Sequence, residues 1–270
     1  MPLMAKYIYA EGVTPFTLVF LRNLLALLPL AILALCQKKT LKVNKKALPQ
    51  IFIISLFGCS LTPILLFCSY NFMASSTATV LHFAYPAMVV LIEILFLRKR
   101  PDFKVISVLL CVVGIGMFYS PKEPLSFSGS ALALSSGLTM AIYVVMLSHF
   151  DKNQASGFLF CFYVALFSTV TSFIACLVFK SLVFPATLTG WGLCVLFALL
   201  ITVGAVALFQ QSAFLIGGEN ASILSTLEPI TSLVIGVTVF NEPLGIFLFI
   251  GSVLVIIASV LTAVCDLRKK

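Results

Sequence analysis

The chain has 270 residues, of which 61% are hydrophobic and 10% charged, whereas a soluble domain carries about 25% charged residues. Water could not solvate that surface, so a soluble enzyme or binding module is excluded and the chain belongs in a lipid bilayer. The net charge of +8 would suit nucleic acid if the basic residues shared one exposed domain, but they fall between apolar runs, as Lys and Arg do in short cytoplasmic loops; no nucleic-acid partner is expected.

Residues 1–12 carry Lys6 and Glu11 around a short apolar stretch, too short for the roughly 20 residues a spanning helix needs. Apolar runs then follow at about 14–36, 48–70, 74–97, 103–120, 127–148, 155–179, 189–213, 219–240 and 244–265. Most are long enough to cross as helices. A barrel would alternate apolar and polar residues in segments of about ten, and these runs are unbroken. The expected fold class is therefore an all-α membrane protein. None of the eight cysteines forms a C-x-x-C pair, so neither a metal centre nor a disulfide framework is expected. They read as small buried hydrophobes, and no cofactor is implied.

The loops set the orientation. Lys38, Lys39, Lys42, Lys45 and Lys46 crowd the loop after the first full run with no acid among them, which places it on the cytoplasmic side. The loop near Asn71 is uncharged, and the next carries Arg98, Lys99, Arg100 and Lys104 against Asp102. Alternation then puts Lys122 and Glu123 outside and the tail Arg268-Lys269-Lys270 inside. The expected localisation is a multi-pass protein of the plasma (cytoplasmic) membrane with a cytoplasmic C-terminus.

One segment is written twice. Ala78-Thr79-Val80-Leu81-His82-Phe83-Ala84-Tyr85-Pro86 returns, altered, as Ala221-Ser222-Ile223-Leu224-Ser225-Thr226-Leu227-Glu228-Pro229. Such an echo signals internal duplication. The loop after the first copy is strongly basic, and the loop after the second, Asn241-Glu242-Pro243, is acidic, as two copies of opposite orientation require. An odd number of helices per copy forces that inversion. The two repeats are placed at 1–122 and 123–270. Paired halves with interrupted helices in corresponding places mark a transporter whose site lies between the halves.

With these features the chain resembles the drug/metabolite transporter superfamily, specifically its EamA-type family of ten-helix proteins. The residues that carry the likeness are Glu11-Gly12-Val13-Thr14-Pro15 and Phe20-Leu21-Arg22, the two Ala-Ser/Thr-x-Leu-x-x-x-x-Pro segments at 78–86 and 221–229, and Asn241-Glu242-Pro243. The resemblance implies two inverted five-helix repeats around a central substrate cavity, and export or import of a small metabolite such as an amino acid, nucleoside, sugar or drug. The departure is at the start. The family's first helix is reduced to a stub, leaving about nine full transmembrane helices. Met1 is read as an internal methionine of a longer protein, because a true nine-helix form would open a groove and expose polar groups to lipid, each at a cost of several kcal/mol; the competing reading is that nine-helix form.

Charged groups at membrane depth are costly and usually face the protein interior or a wet path, which singles out Arg22, Glu93 and Glu228. At 100° per residue, Ala78, His82, Tyr85, Val89 and Glu93 share one helical stripe, and Ala221, Ser225, Glu228, Ser232 and Gly236 share its counterpart. Pro86 and Pro229 each remove a helical hydrogen bond and free a carbonyl there. The substrate-cavity candidates are His82, Tyr85, Ser225, Glu228, Arg22, Tyr70, Tyr143, Gln210 and Asn220. Against each stands the plainer role of bonding a neighbouring helix. Glu93 sits near a helix end and is read as reaching the interface. Glu228, a carboxyl at mid-depth, is the candidate proton carrier, so protons join the small-molecule substrate and the lipid bilayer as expected partners.

The function expected is a secondary transporter, an exporter of an amino acid-like or drug-like metabolite working by alternating access. No glycine-rich phosphate loop points to ATP. The alternative is a non-transporting membrane partner or half-assembly subunit. An intramembrane enzyme is disfavoured, because two histidines and no paired-aspartate motif give no nucleophile–base or ligand set.

Overall fold

The computed structural model describes residues 2–36, 43–96, 98, 104–117, 126–151, 155, 157–215, 231, 234–235, 237–239 and 245–267. Every regular element among them is helical. α1 is Pro2–Ala10 and α2 is Pro15–Cys36. α3 runs Lys45–Ser69 and contains a π-helical stretch at Leu56–Leu61. α4 is Ser75–His82 and α5 Tyr85–Leu95, together one apolar span. α6 is Lys104–Gly116, α7 Phe127–Ser148 and α8 Phe158–Val178. α9 runs Leu188–Gln211 with a second π stretch at Ala198–Val206, and α10 is Ile246–Leu267. Six of these spans are long and apolar enough to cross a membrane.

The helices are turned inside out relative to a soluble bundle. On α2, Leu24, Leu28, Ile32 and Leu35 form an exposed stripe, with Leu28 71% exposed. These positions recur every three or four residues, so they share one face. That face would be untenable in water and suits lipid. The opposite side buries Leu18, Leu21, Arg22, Ala26 and Leu30. At about 1.5 Å per residue, the 22 residues of α2 match a hydrocarbon core of about 30 Å.

Packing divides the chain into two compact units, each drawn from both parts of the sequence: Met1–Ile64 with Met146–Gly217, and Leu65–Val145 with Gly218–Lys270. This is a division by contact, and the repeats expected at 1–122 and 123–270 are a division by chain order; the one does not decide the other.

In the first unit α2 lies along α8. Phe16 stacks on Phe179 with centroids 4.9 Å apart, and Phe20 meets Phe173 at 5.2 Å. The hydroxyls of Thr14 and Thr17 both donate to the Ser181 carbonyl, at 2.6 and 2.7 Å, which ties the start of α2 to the turn after α8. The stub read from residues 1–12 is the helix α1, with Ala5 and Ile8 fully buried.

In the second unit α6 and α10 approach closely at Gly114, where a methyl group would lie 2.8 Å from the Gly251 carbonyl oxygen. Small residues let helix backbones meet in this way when no hydrophobic drive from water is available. The run read as one helix over 74–97 is two. α4 ends at His82, the chain turns through Phe83 and Ala84, and α5 begins at Tyr85. Proline is tolerated in the first turn of a helix, where its missing N–H would find no partner anyway, so Pro86 fits the opening turn of α5.

Candidate functional site

The first unit holds a buried polar layer built from α2, α3 and α8. Its origin is Pro63. A proline has no N–H, so the carbonyl four residues earlier, that of Cys59, loses its α-helical donor. α3 absorbs the defect in its π stretch, where Thr62 N–H bonds to the Phe57 carbonyl. The freed Cys59 oxygen is taken from α2: Arg22 Nη2 donates to it at 3.3 Å and Asn23 Nδ2 at 3.4 Å. Asn23 Nδ2 also donates to the Ser168 hydroxyl at 2.9 Å and to the Val19 carbonyl at 2.8 Å. Ser60 joins from α3, its hydroxyl 2.8 Å from Ser168 Oγ and 2.6 Å from Thr171 Oγ1. Arg22 is 2% exposed and Asn23 is fully buried. Arg22, read from the sequence as a costly charge, thus has a structural partner in a backbone carbonyl. Gln210 on α9 is also buried in this unit.

The second unit holds the break at Phe83–Ala84. Here Pro86 frees the His82 carbonyl by the same rule. α7 comes so close that a methyl group at position 137 would lie 2.9 Å from that oxygen, so Gly137 is required. Ser259 on α10 donates its hydroxyl to the next carbonyl, Phe83, at 3.2 Å. His82 is 7% exposed and Tyr85 3%. His82 Nδ1 lies 2.9 Å from Ser136 Oγ, and Ser136 donates to the Ala133 carbonyl, which leaves its oxygen to accept from the ring N–H. The His82 and Tyr85 rings lie 5.9 Å apart. Tyr70 is buried with its hydroxyl 3.2 Å from Thr79 Oγ1, and Tyr143 on α7 is buried in the same unit.

The structure therefore brings His82 and Tyr85 together and places Arg22 and Gln210 in the polar interior of the other unit. Ser225, Glu228 and Asn220 lie outside the described residues. The single stripe from Ala78 to Glu93 is interrupted at the break, because 100° per residue no longer holds across Phe83 and Ala84. Sequence reading passed over Asn23, Ser60, Ser136 and Ser168. A signal existed for Asn23, an amide beside Arg22 in an otherwise apolar helix. The three serines carry none in the sequence, since a lone serine in a membrane helix bonds its own helix as readily as a neighbour. Among the described residues there is no group of three His, Cys, Asp or Glu side chains that could hold a metal ion.

The sequence pattern of the EamA-like transporter family matches residues 1–120 and again 127–264. A protein of Archaeoglobus fulgidus described as an uncharacterized transporter is 25% identical over 146 residues, which are 54% of this chain and 50% of that protein. YicL of Salmonella typhimurium, described as an uncharacterized inner membrane transporter, is 25% identical over 239 residues, 84% of this chain and 76% of its own. The chain thus matches half the length of the first relative and 76% of the second. One solved crystal structure superposes with a TM-score of 0.65 over 99% of this chain and 95% of the other, at 16% identity, a likeness of fold.

Proposed function

The chain belongs to the EamA-like transporter family, and from that premise we propose that it is a secondary transporter exporting a small amino acid-like or drug-like metabolite across the cytoplasmic membrane by alternating access. It is a multi-pass integral membrane protein. The observation that carries the proposal is the family match, which covers two successive stretches and nearly the whole chain. That double match supports reading 1–122 and 123–270 as two repeats of opposite orientation, as does the change of loop charge between them. Substrate contact is assigned to His82, Tyr85, Tyr143, Arg22 and Gln210, buried polar side chains in membrane-length helices, to Tyr70, buried just past the end of α3, and to Ser225, Glu228 and Asn220 from the sequence. Glu228 is assigned the proton.

The test compares metabolites in the medium of cells with and without the protein, followed by flux of whatever accumulates in sealed vesicles. At least one small polar compound should accumulate outside the expressing cells and move into inside-out vesicles. Equal media, or vesicle flux that does not depend on the protein, would overturn the proposal. Glu228→Gln should abolish the pH dependence of that flux; an unchanged dependence removes the proton assignment and leaves transport standing.

A further inference from the structure

His82 is the last residue of α4, and α7 meets it at two points. Gly137 lies against its carbonyl oxygen, and the neighbouring Ser136 meets its ring, Oγ to Nδ1 at 2.9 Å. Adjacent residues of one helix thus hold both the backbone and the side chain of His82. Ser136 is fully buried and His82 is 7% exposed.

A hydroxyl has one proton to give. The Ser136 O–H donates to the Ala133 carbonyl at 2.7 Å, the back-bond usual for a serine within a helix. Only its lone pairs remain for His82, so Nδ1 carries the ring proton and donates. A neutral imidazole has one N–H and one bare nitrogen, and the bond made by one fixes the state of the other. Nε2 is then the bare nitrogen. No hydrogen bond reaches it from the described residues, and it is not among the polar atoms sealed away from any accessible surface. A ring that is otherwise buried keeps one open acceptor.

We infer that Ser136 is a positioning residue for substrate recognition: it locks His82 in the Nδ1–H tautomer, so that Nε2 accepts from an N–H group of the substrate. This rests on the proposed transport of a small metabolite and narrows its chemistry to an amine. A carboxylate offers only acceptors and would set lone pair against lone pair at Nε2. Phe83 and Tyr85 place aromatic rings beside His82, with centroids 5.7 and 5.9 Å away, and aromatic faces attract ammonium groups.

The chain has two histidines, His82 and His149. Isotope labelling of histidine nitrogen alone therefore gives an NMR spectrum that His149→Gln reduces to His82. Protonated and bare ring nitrogens are widely separated in shift. The full-length protein should show Nδ1 protonated and Nε2 bare. Ser136→Ala removes the acceptor and should move the proton to Nε2, whereas Ser136→Thr keeps the hydroxyl and should keep Nδ1–H. A merely space-filling Ser136 would leave the tautomer unchanged in both variants. Propylammonium should shift the Nε2 signal towards its protonated value, and propionate should leave it in place. His82 protonated on Nε2, or on both nitrogens, overturns the inference. So does an Nε2 signal that ignores propylammonium or answers propionate equally. The spectrum of the protein with Ser136 intact decides alone should the Ser136 variants not fold. Failure here and failure of the transport reading are distinct: equal media would remove transport and leave the Nδ1–H tautomer measurable, whereas an Nε2–H tautomer would remove this inference and leave transport standing.

Discussion

Pro63 in the first unit and Pro86 in the second each delete the N–H that would bond the carbonyl four residues back. At Pro63 the orphaned oxygen is that of Cys59. The helix runs on through a π stretch, and Arg22 and Asn23 of α2 supply two donors. At Pro86 the orphaned oxygen is that of His82, and the helix ends. The turn is held by close approach of Gly137 and by the Ser259 hydroxyl on the neighbouring carbonyl. One backbone defect thus has two outcomes, decided by what the adjacent helix brings. Long side-chain donors let a membrane helix keep its course. A bare backbone face leaves room for a break, and the break turns His82 and Tyr85 towards each other.

The largest expected effect comes from closing the room that the second arrangement needs. Gly137→Val puts a branched side chain where even a methyl would meet the His82 carbonyl oxygen at 2.9 Å, and backbone cannot swing aside as a side chain can. The loss should be about 2–3 kcal/mol, read as a fall in the thermal midpoint of the purified protein in detergent. An unchanged midpoint would mean that α7 does not rest on the break, and the contrast between the two prolines would lose its second half.

A smaller loss is expected in the first unit. Asn23→Leu keeps the size of the side chain and removes its bonds to Cys59 and Ser168, with an expected cost of about 1–2 kcal/mol; interhelical hydrogen bonds in membranes rarely exceed that. The sharper measurement is a double-mutant cycle with Pro63→Ala. Alanine restores an N–H that can reach the Cys59 oxygen, so Asn23 should matter less in that background. A coupling of about 0.5 kcal/mol or more is expected. Strictly additive costs would show that the proline and the α2 donors are unrelated.

The sequence made the helices legible because the demand for about 20 apolar residues is local. The run at 14–36 became Pro15–Cys36 and that at 127–148 became Phe127–Ser148. It marked Arg22, because an isolated charge in an apolar run is conspicuous, and it marked Pro86 as freeing a carbonyl. It did not show that the chain breaks there. A proline in a membrane helix can be absorbed or can end the helix, and the choice rests on Gly137, which lies 51 positions further along the chain. The pairing of Asn23 with Ser168 spans 145 positions and leaves no local trace. The π stretch at Ala198–Val206 contains no proline, so no single residue announced it. What was hidden is the polar interior, because it depends on which helices meet.

The smallest effect tests whether Pro86 causes the break or only occupies it. Pro86 is the second residue of α5, a position whose N–H has no partner within its own helix. Replacing it by alanine gives back a donor that could reach the His82 oxygen and fuse α4 with α5. Two features oppose fusion. Straightening the chain would carry the His82 carbonyl into the ladder and away from the α7 backbone, and it would pull Phe83 from the Ser259 hydroxyl. Both contacts persist in Pro86→Ala, so the break should remain. The remaining cost is the extra freedom of the unfolded chain, about 0.4–1 kcal/mol, and transport should hold near its original rate. A loss of transport together with a rise in stability would mean that α4 and α5 have joined. Proline, and not the neighbouring helices, would then be what keeps His82 and Tyr85 in place.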